Sequence, residues 1–247
     1  MEFSERVIVL KTGRFREQDM WVRLLSPTQG VVTAFAFGGC RSRRRFCGCL
    51  NSLGHVLFRM RRGRMGHLNL EEGVLLDGFP GIKADASRMG MAGNCCLFLQ
   101  AAHEGGPDSS KASLLLLGVL EALESVGEVS WLLPLFFRAG LAFSQGYEPD
   151  FERCATCGRA ITESPQGIFQ VREGKMLCPA CNHLPGPSVT VPVEAALLLA
   201  RLGQAEPREW ASWHPVQAVR QGCFQMIEAL VQCHLGLAYK NNRYVRC

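Results

Sequence analysis

Met20–Phe37 reads MWVRLLSPTQGVVTAFAF: an apolar run to Leu25, the turn residues Ser26-Pro27-Thr28-Gln29-Gly30, then a β-branched and aromatic run ending at Gly38-Gly39. Two strand-forming runs around a Pro/Gly turn predict a hairpin. Upstream, Arg6–Lys11 (RVIVLK) is a β-branched run bounded by Thr12-Gly13. Downstream, Gly54–Met60 reads as a fourth strand, and His67–Asn69, extending past Glu72 to Leu76, as a fifth. Five short strands in about 80 residues predict a small barrel, and the OB-fold is the common five-stranded one. Thr33, Phe35 and Phe37 alternate onto one face. They are read as barrel core, with base stacking as the alternative.

The same region carries the charge. Between Met20 and Leu70 there are nine arginines and no Asp or Glu. Residues 1–83 hold 14 Lys+Arg against 7 Asp+Glu, whereas the other 164 hold 13 against 15. A guanidinium offers two parallel donors to a phosphate, so an acid-free arginine surface suits polyanions. Arg41, Arg43, Arg44 and Arg45 fall between the third and fourth strands, and Arg61, Arg62 and Arg64 between the fourth and fifth. Lys11 and Arg14 lie near the end of the first strand. Loops of one charge sign make a groove that tracks a nucleic-acid backbone with little sequence preference. Phe46, directly after the arginine run, is expected to be exposed and to stack on a base.

Composition narrows the class. The chain has 247 residues, 47% of them apolar, enough for a sizeable core. Its start, MEFSERVIVLKTGR, lacks the pattern of a signal peptide. No uncharged apolar span reaches the roughly 18 residues of a membrane helix. Twelve cysteines without a secretory signal point to thiols or metal in a reducing compartment, the cytoplasm.

From Ala84 the hydrophobic period becomes helical. Asp85 is placed to cap a helix running to about His103, Gly105–Asp108 reads as a loop, and Ser109 or Ser110 opens a second helix. Trp131–Gln145 reads as a third, with Pro134 tolerated in its first turn. Cys95 and Cys96 are adjacent on the first helix, about 100° apart, and read as buried thiols.

The sharpest signal is Cys154-Ala-Thr-Cys157, twenty residues, then Cys178-Pro-Ala-Cys181. Each pair supplies two thiolates from one tight turn. Gly167–Arg172 and Lys175–Leu177 read as a hairpin around Glu173-Gly174 that brings the pairs together, as in a zinc ribbon. Four thiolates close the shell of one structural Zn²⁺, leaving no position for substrate. Past Pro185-Gly186-Pro187, helices are expected over Val193–Leu202 and from Pro215 to about His234. The latter carries Val219, Phe224, Ile227, Leu230 and Val231 near one stripe. Lys240, Arg243 and Arg246 form a basic tail, read as frayed, with an added DNA contact as the alternative.

The expected fold class is therefore α+β and multidomain: an OB-fold barrel (1–83), a helical domain (84–150), a zinc-binding unit (151–185) and closing helices (186–247). That order resembles the RecO family of bacterial recombination mediators along essentially the whole chain. It is carried by VIVLKTGRFREQDMWVRLLSPTQG, the Gly38–Phe46 loop, Gly146-Tyr147-Glu148-Pro149 before the cysteines, and His234-Leu-Gly236. The resemblance implies a non-catalytic protein that binds single- and double-stranded DNA and anneals complementary strands. It implies RecR and the acidic tail of the single-strand binding protein SSB as partners, with RecA loaded indirectly. Two features depart from the family pattern: Cys47-Gly-Cys49 inserted in the arginine loop, and arginine in place of lysine on the basic surface.

Two other classes compete. A zinc enzyme or dithiol oxidoreductase needs an open metal site or a nucleophile–base pair, and no HExxH, P-loop or such pair is present. A protein-interaction adaptor would use the basic barrel to meet an acidic protein.

Overall fold

The computed structural model describes residues 2–42, 44–63, 66–102, 109–183 and 185–247. The expected contributions of Arg43, Arg64, His103 and the Gly105–Asp108 loop lie outside the described residues. The protein is α+β, with a β-rich N-terminal sheet followed by helices. It divides into two compact units, Met1–Ser125 and Val126–Cys247. The division falls inside the segment read as one helical domain, because its first helices pack on the N-terminal strands.

In the first unit the five expected strands all form: β1 (Glu2–Arg14), β2 (Met20–Ser26), β3 (Gly30–Ala36), β4 (His55–Arg62) and β5 (Leu68–Asp77). β1 is long enough to serve two neighbours. Its first half pairs with β4, from Glu2↔Arg61 to Ile8↔His55, and its second half with β2, from Ile8↔Leu25 to Arg14↔Met20. That sharing closes the sheet into a barrel of order β1-β2-β3-β5-β4, in which only β3 and β5 run parallel. The β2–β3 turn is fixed by side chains. The Ser26 hydroxyl accepts the Gln29 N–H at 2.9 Å and donates to the Glu5 carboxylate at 2.8 Å, while Gly30 takes the positive φ (+75°) that the turn requires.

The barrel interior holds Val7, Val9, Val22, Leu24, Ala34 and Ala36 against Phe58, Met60 and Leu70. This reverses the expected phase of β3: Ala34 and Ala36 face inward, and Phe35 faces out. The interior is already filled by Phe46 and Phe58, whose rings meet at 6.3 Å, so small residues are needed opposite them. Phe46 is only 4% exposed. The expectation of an exposed stacking ring there is corrected: it is a core residue.

Three helices complete this unit: α1 (Pro80–Ala84), α2 (Ala86–Ala102) and α3 (Ser109–Ser125). α3 lies against β1, β2 and β3, which explains why the outward-facing Ile8, Leu10, Leu25 and Val31 are also buried. Its Glu124 carboxylate accepts the N–H groups of Gly81 and Ile82, both at 2.9 Å, capping α1. Asp85 caps α2 as expected, accepting the Ser87 N–H at 2.8 Å. Cys95 and Cys96 are buried in α2, and burial pushes the Cys96 thiol up to about 12.

The second unit contains α4 (Leu133–Ser144), a sheet of β6 (Gln166–Gln170), β7 (Lys175–Leu177) and β8 (Ser188–Pro192), then α5 (Val193–Leu202), α6 (Pro207–Trp210) and α7 (Gln217–His234). β6 is central, in the order β7-β6-β8. β8 was not foreseen; Pro187 and Pro192 bracket it and confine it to the sheet edge. Arg138 on α4 is buried and pairs with Glu228 on α7. Gly222 on α7 lets Ala195 and Pro192 approach so closely that a β-carbon there would meet them at 2.9 and 3.0 Å. The chain ends in a two-residue hairpin, β9 (Leu237–Lys240) and β10 (Arg243–Arg246), where a frayed tail was expected. Asn241 and Asn242 both take positive φ (51° and 58°), the turn geometry that matches strand twist. Among the described residues no helix is long and apolar enough to cross a membrane.

Candidate nucleic-acid interface and metal centre

The strand registers set out the barrel's outer face. Lys11 pairs with Arg23 and Arg23 with Thr33, giving a polar row across β1, β2 and β3. Within it, Arg23 Nη1 donates to the Thr33 hydroxyl at 3.0 Å. Gly13 pairs with Trp21, Trp21 with Phe35, and Phe35 with Asn69, giving an aromatic row two residues along. Gly13 is what lets the indole lie flat on β1, since a β-carbon there would come within 2.5 Å of the ring. α3 covers one end of this outer face, and the aromatic row lies on the part it leaves open.

At the open end the rings gather. Phe15 from the β1–β2 loop meets Phe35 edge-on at 5.3 Å, Phe35 and Phe37 stack at 6.5 Å with 25° between planes, and His67 abuts Phe35 at 5.7 Å. The Arg16 guanidinium sits 5.5 Å from the Phe15 ring centre. These residues and Gly63 line an open cavity of about 410 Å³ between the β1–β2 and β4–β5 loops. Phe37 is 47% exposed and Phe15 39%. Large apolar rings left to water beside cations are an unfavourable surface unless something covers them.

The arginine loop springs from this patch. Its first residues are tied to the β1–β2 loop, with Gly38 N–H donating to Asp19 at 2.8 Å and Cys40 N–H to the Gln18 carbonyl at 3.0 Å. Arg45 folds back, donating to the Phe37 carbonyl at 2.6 Å, with its guanidinium 5.0 Å from the Phe46 ring. Arg41 and Arg44 are exposed in the same loop, and Lys11 and Arg14 are exposed on β1. The β4–β5 arginines are less available. Arg61 is paired with Glu71 at 2.8 Å, and Arg62 donates to Gln29 at 2.6 Å. Sequence reading missed Trp21 and Arg23 as members of this face. The glycine two residues after Lys11 was the available signal, since it leaves room for a ring on the neighbouring strand.

In the second unit Cys154, Cys157, Cys178 and Cys181 converge as expected, their sulfurs all within 4.8 Å of one another. Cys154 N–H donates to the Arg159 carbonyl at 2.8 Å and Gly158 N–H to the Cys154 carbonyl at 2.9 Å, with Gly158 at φ +72°; these fold the first pair into a tight turn. A one-turn helix, Pro179–Cys181, holds the second. The β6–β7 hairpin joins them, and Ala155 N–H reaches the Met176 carbonyl at 2.9 Å. Burial alone would raise the Cys154 thiol. The N–H groups of Cys178, Cys157 and Thr156 and the Cys157 thiol outweigh it and hold Cys154 down to about 6. The Cys181 thiol is pushed up to about 12, first because it donates to Cys157 and Cys178. Four sulfurs this close share protons, and a metal ion bound by thiolates takes the protons' place. Among the described residues this is the one cluster of such donors fit to hold a metal. Cys40, Cys47 and Cys49 do not form another; Cys49 is buried and donates to the Cys47 carbonyl.

A closed, arginine-looped barrel with an aromatic face, joined to a helical unit carrying a four-cysteine centre, defines a class of two-unit, metal-competent proteins. Residues 1–79 match the family model described as Recombination protein O N terminal, and residues 84–243 the one described as Recombination protein O C terminal. The chain is 39% identical over 245 residues to the DNA repair protein RecO of Maridesulfovibrio salexigens, covering 99% of both chains. It is 42% identical over 250 residues to the DNA repair protein RecO of Oleidesulfovibrio alaskensis, covering 100% of both. The chain belongs to the RecO family of DNA repair proteins.

Proposed function

We propose that this protein is a non-catalytic recombination mediator of the bacterial cytoplasm that binds single- and double-stranded DNA, anneals complementary strands and helps load recombinase onto SSB-coated single strands. The observation that carries the reading is the exposed Phe15–Phe35–Phe37 cluster bordered by Arg16 and the arginine loop. We read the barrel as an OB-fold, from its 1-2-3-5-4 order and the parallel β3–β5 pair. In that fold, β2, β3 and the loops after β1 and β4 bind oligonucleotides. Bases stack on the rings while Arg41, Arg44 and Lys11, with Arg43 and Arg64, meet phosphates. Annealing requires two mutually repelling backbones to approach, and guanidinium contacts lower that repulsion while leaving base edges free.

The four cysteines hold one structural Zn²⁺, which cross-links the two cysteine turns and closes its shell against substrate. The body of the second unit receives protein partners, RecR and the SSB tail, and through them RecA. For an acidic tail ending in apolar residues, α7 offers a groove of about 420 Å³ lined by Trp131, Arg220 and Phe224. Trp131 is 61% exposed and Phe224 51%, with the Arg220 guanidinium 5.4 Å from the indole centre. Phe224 leaves the buried side of α7 and lines this groove. Phe224→Asp is expected to weaken binding of an SSB tail peptide at least tenfold in calorimetry, and an unchanged Kd rejects the groove. The overall reading is tested by mixing complementary oligonucleotides with no nucleotide present. Acceleration by the protein is expected; no acceleration together with no DNA binding at moderate salt favours the protein-adaptor reading.

A further inference from the structure

The cavity beside the β4–β5 loop holds one polar side chain that the rings do not explain. Asn69 is the direct partner of Phe35 across β3 and β5, and it lines the same space of about 410 Å³ as Phe15 and Phe37. The other polar groups of the cavity are engaged: the His67 ring lies edge-on to Phe35 at 5.7 Å, and the Arg16 guanidinium rests 5.5 Å from the Phe15 ring centre. The Asn69 side chain is half-buried, and its carboxamide has no hydrogen-bond partner among the described residues. A β-carbon on Gly63 would stand 3.5 Å from Asn69 Nδ2, so the glycine leaves that side of the amide clear. An apolar cavity with one well-placed polar group is the usual form of a ligand site.

A carboxamide sets one acceptor beside one donor. Every nucleobase carries the complementary pair on the edge it uses for base pairing: N6–H and N1 in adenine, N4–H and N3 in cytosine, N1–H and O6 in guanine, N3–H and O4 in thymine. No protein partner fixes which way the Asn69 amide faces, so it can meet either order. Rings that stack on a base and an amide that bonds its edge are how unstacked bases of single strands are held. Such an amide does not choose among the four bases. It separates an unpaired base from a paired one, because in a duplex that edge is already occupied.

We infer that this cavity receives one unpaired base of a single strand, its face on the phenylalanine rings and its pairing edge on Asn69. This rests on the reading of the barrel as a single-strand site and deepens it. The cavity gives the barrel a preference for single strands without a preference for sequence. One base is held out of pairing until the strand leaves the cavity, while its neighbours keep their edges free.

The test uses the full-length protein and two fluorescent strands of equal length, oligothymidylate and its N3-methylthymine counterpart. The methyl group blocks the pairing edge but keeps the stacking surface and the phosphates. Wild type is expected to bind the methylated strand about tenfold more weakly, the loss of one or two hydrogen bonds. The near-isosteric Asn69→Leu is expected to bind both strands equally, at the wild type's level for the methylated one, and to bind duplex as wild type does. If wild type holds both strands equally well, the edge contact is overturned while the single-strand reading stands. If Asn69→Leu still separates the two strands, or loses duplex affinity as much as single-strand affinity, the assignment to Asn69 is overturned. If wild type binds neither strand, the single-strand reading itself fails, and the base cavity with it.

Discussion

Phe35→Ala/Phe37→Ala is expected to weaken binding of a single strand at least about 30-fold while leaving the melting temperature close to wild type. Base stacking on an aromatic ring contributes about 1–3 kcal/mol per base, so two rings at the low end give about 2 kcal/mol. The cost to folding is small because Phe37 is half exposed and Phe35 faces away from the Ala34–Ala36 side that fills the barrel. The two rings stack on each other at 6.5 Å and Phe15 rests edge-on against both, so the pair acts as one platform and a single substitution is expected to cost more than half of the double. The contrast is Phe46→Ala. Its ring is buried against Phe58, so that change is expected to cost about 3–5 kcal/mol of stability. An adaptor protein binding an acidic partner through charge alone would lose little with Phe35 and Phe37.

Cys154→Ser or Cys178→Ser, or a strong chelator on the wild type, is expected to release one zinc per chain and unfold the segment around β6 and β7. The local sheet is small, with β7 only three residues long, so the hairpin does not supply the burial to hold itself. In zinc-finger peptides the metal contributes about 10–16 kcal/mol of apparent folding energy, which sets the scale of the loss. β6 also pairs with β8, and β8 packs on α7 with Val191 buried, so the damage is expected to spread into the second unit. The barrel, in the first unit, is expected to keep its own transition in a two-step melt. A serine variant that retains stoichiometric metal by mass spectrometry and melts like wild type contradicts the structural-metal assignment.

The sequence was most legible where the signal is local. The turn at Ser26–Gly30 announces the β2–β3 hairpin through its own residue types, and the CxxC spacing announces the metal centre because both ligands of a pair sit in one turn. Asp85 as a helix cap and the span of α5 were readable for the same reason. What failed was the phase of β3. Alternation identifies two faces, but which one is inside depends on what else fills the barrel, and that is decided by Phe46 and Phe58 from distant positions. The same long-range fact turned Phe46 from an exposed ring into a core one and hid Trp21, whose place on the outer face follows from its register with Gly13. The C-terminal hairpin was missed because Asn241-Asn242 is a weaker turn signal than Asn-Gly, and because short terminal strands gain their stability from packing on α7. The charge of Arg61 was legible, but not its pairing with Glu71 on the neighbouring strand, which a cross-strand register decides.

The central claim is that a single strand lies across the barrel's aromatic face with its phosphates on the arginine loop. Its most direct test is a fluorescence-anisotropy titration of a labelled single strand over a salt series, with wild type, Phe35→Ala/Phe37→Ala and Arg41→Ala/Arg44→Ala side by side. Stacking is insensitive to salt and phosphate contacts are not. The phenylalanine variant is therefore expected to give a line parallel to wild type but displaced to weaker binding, and the arginine variant a line shallower by about 1.4. Three superimposed lines would contradict the account and move the strand off the barrel.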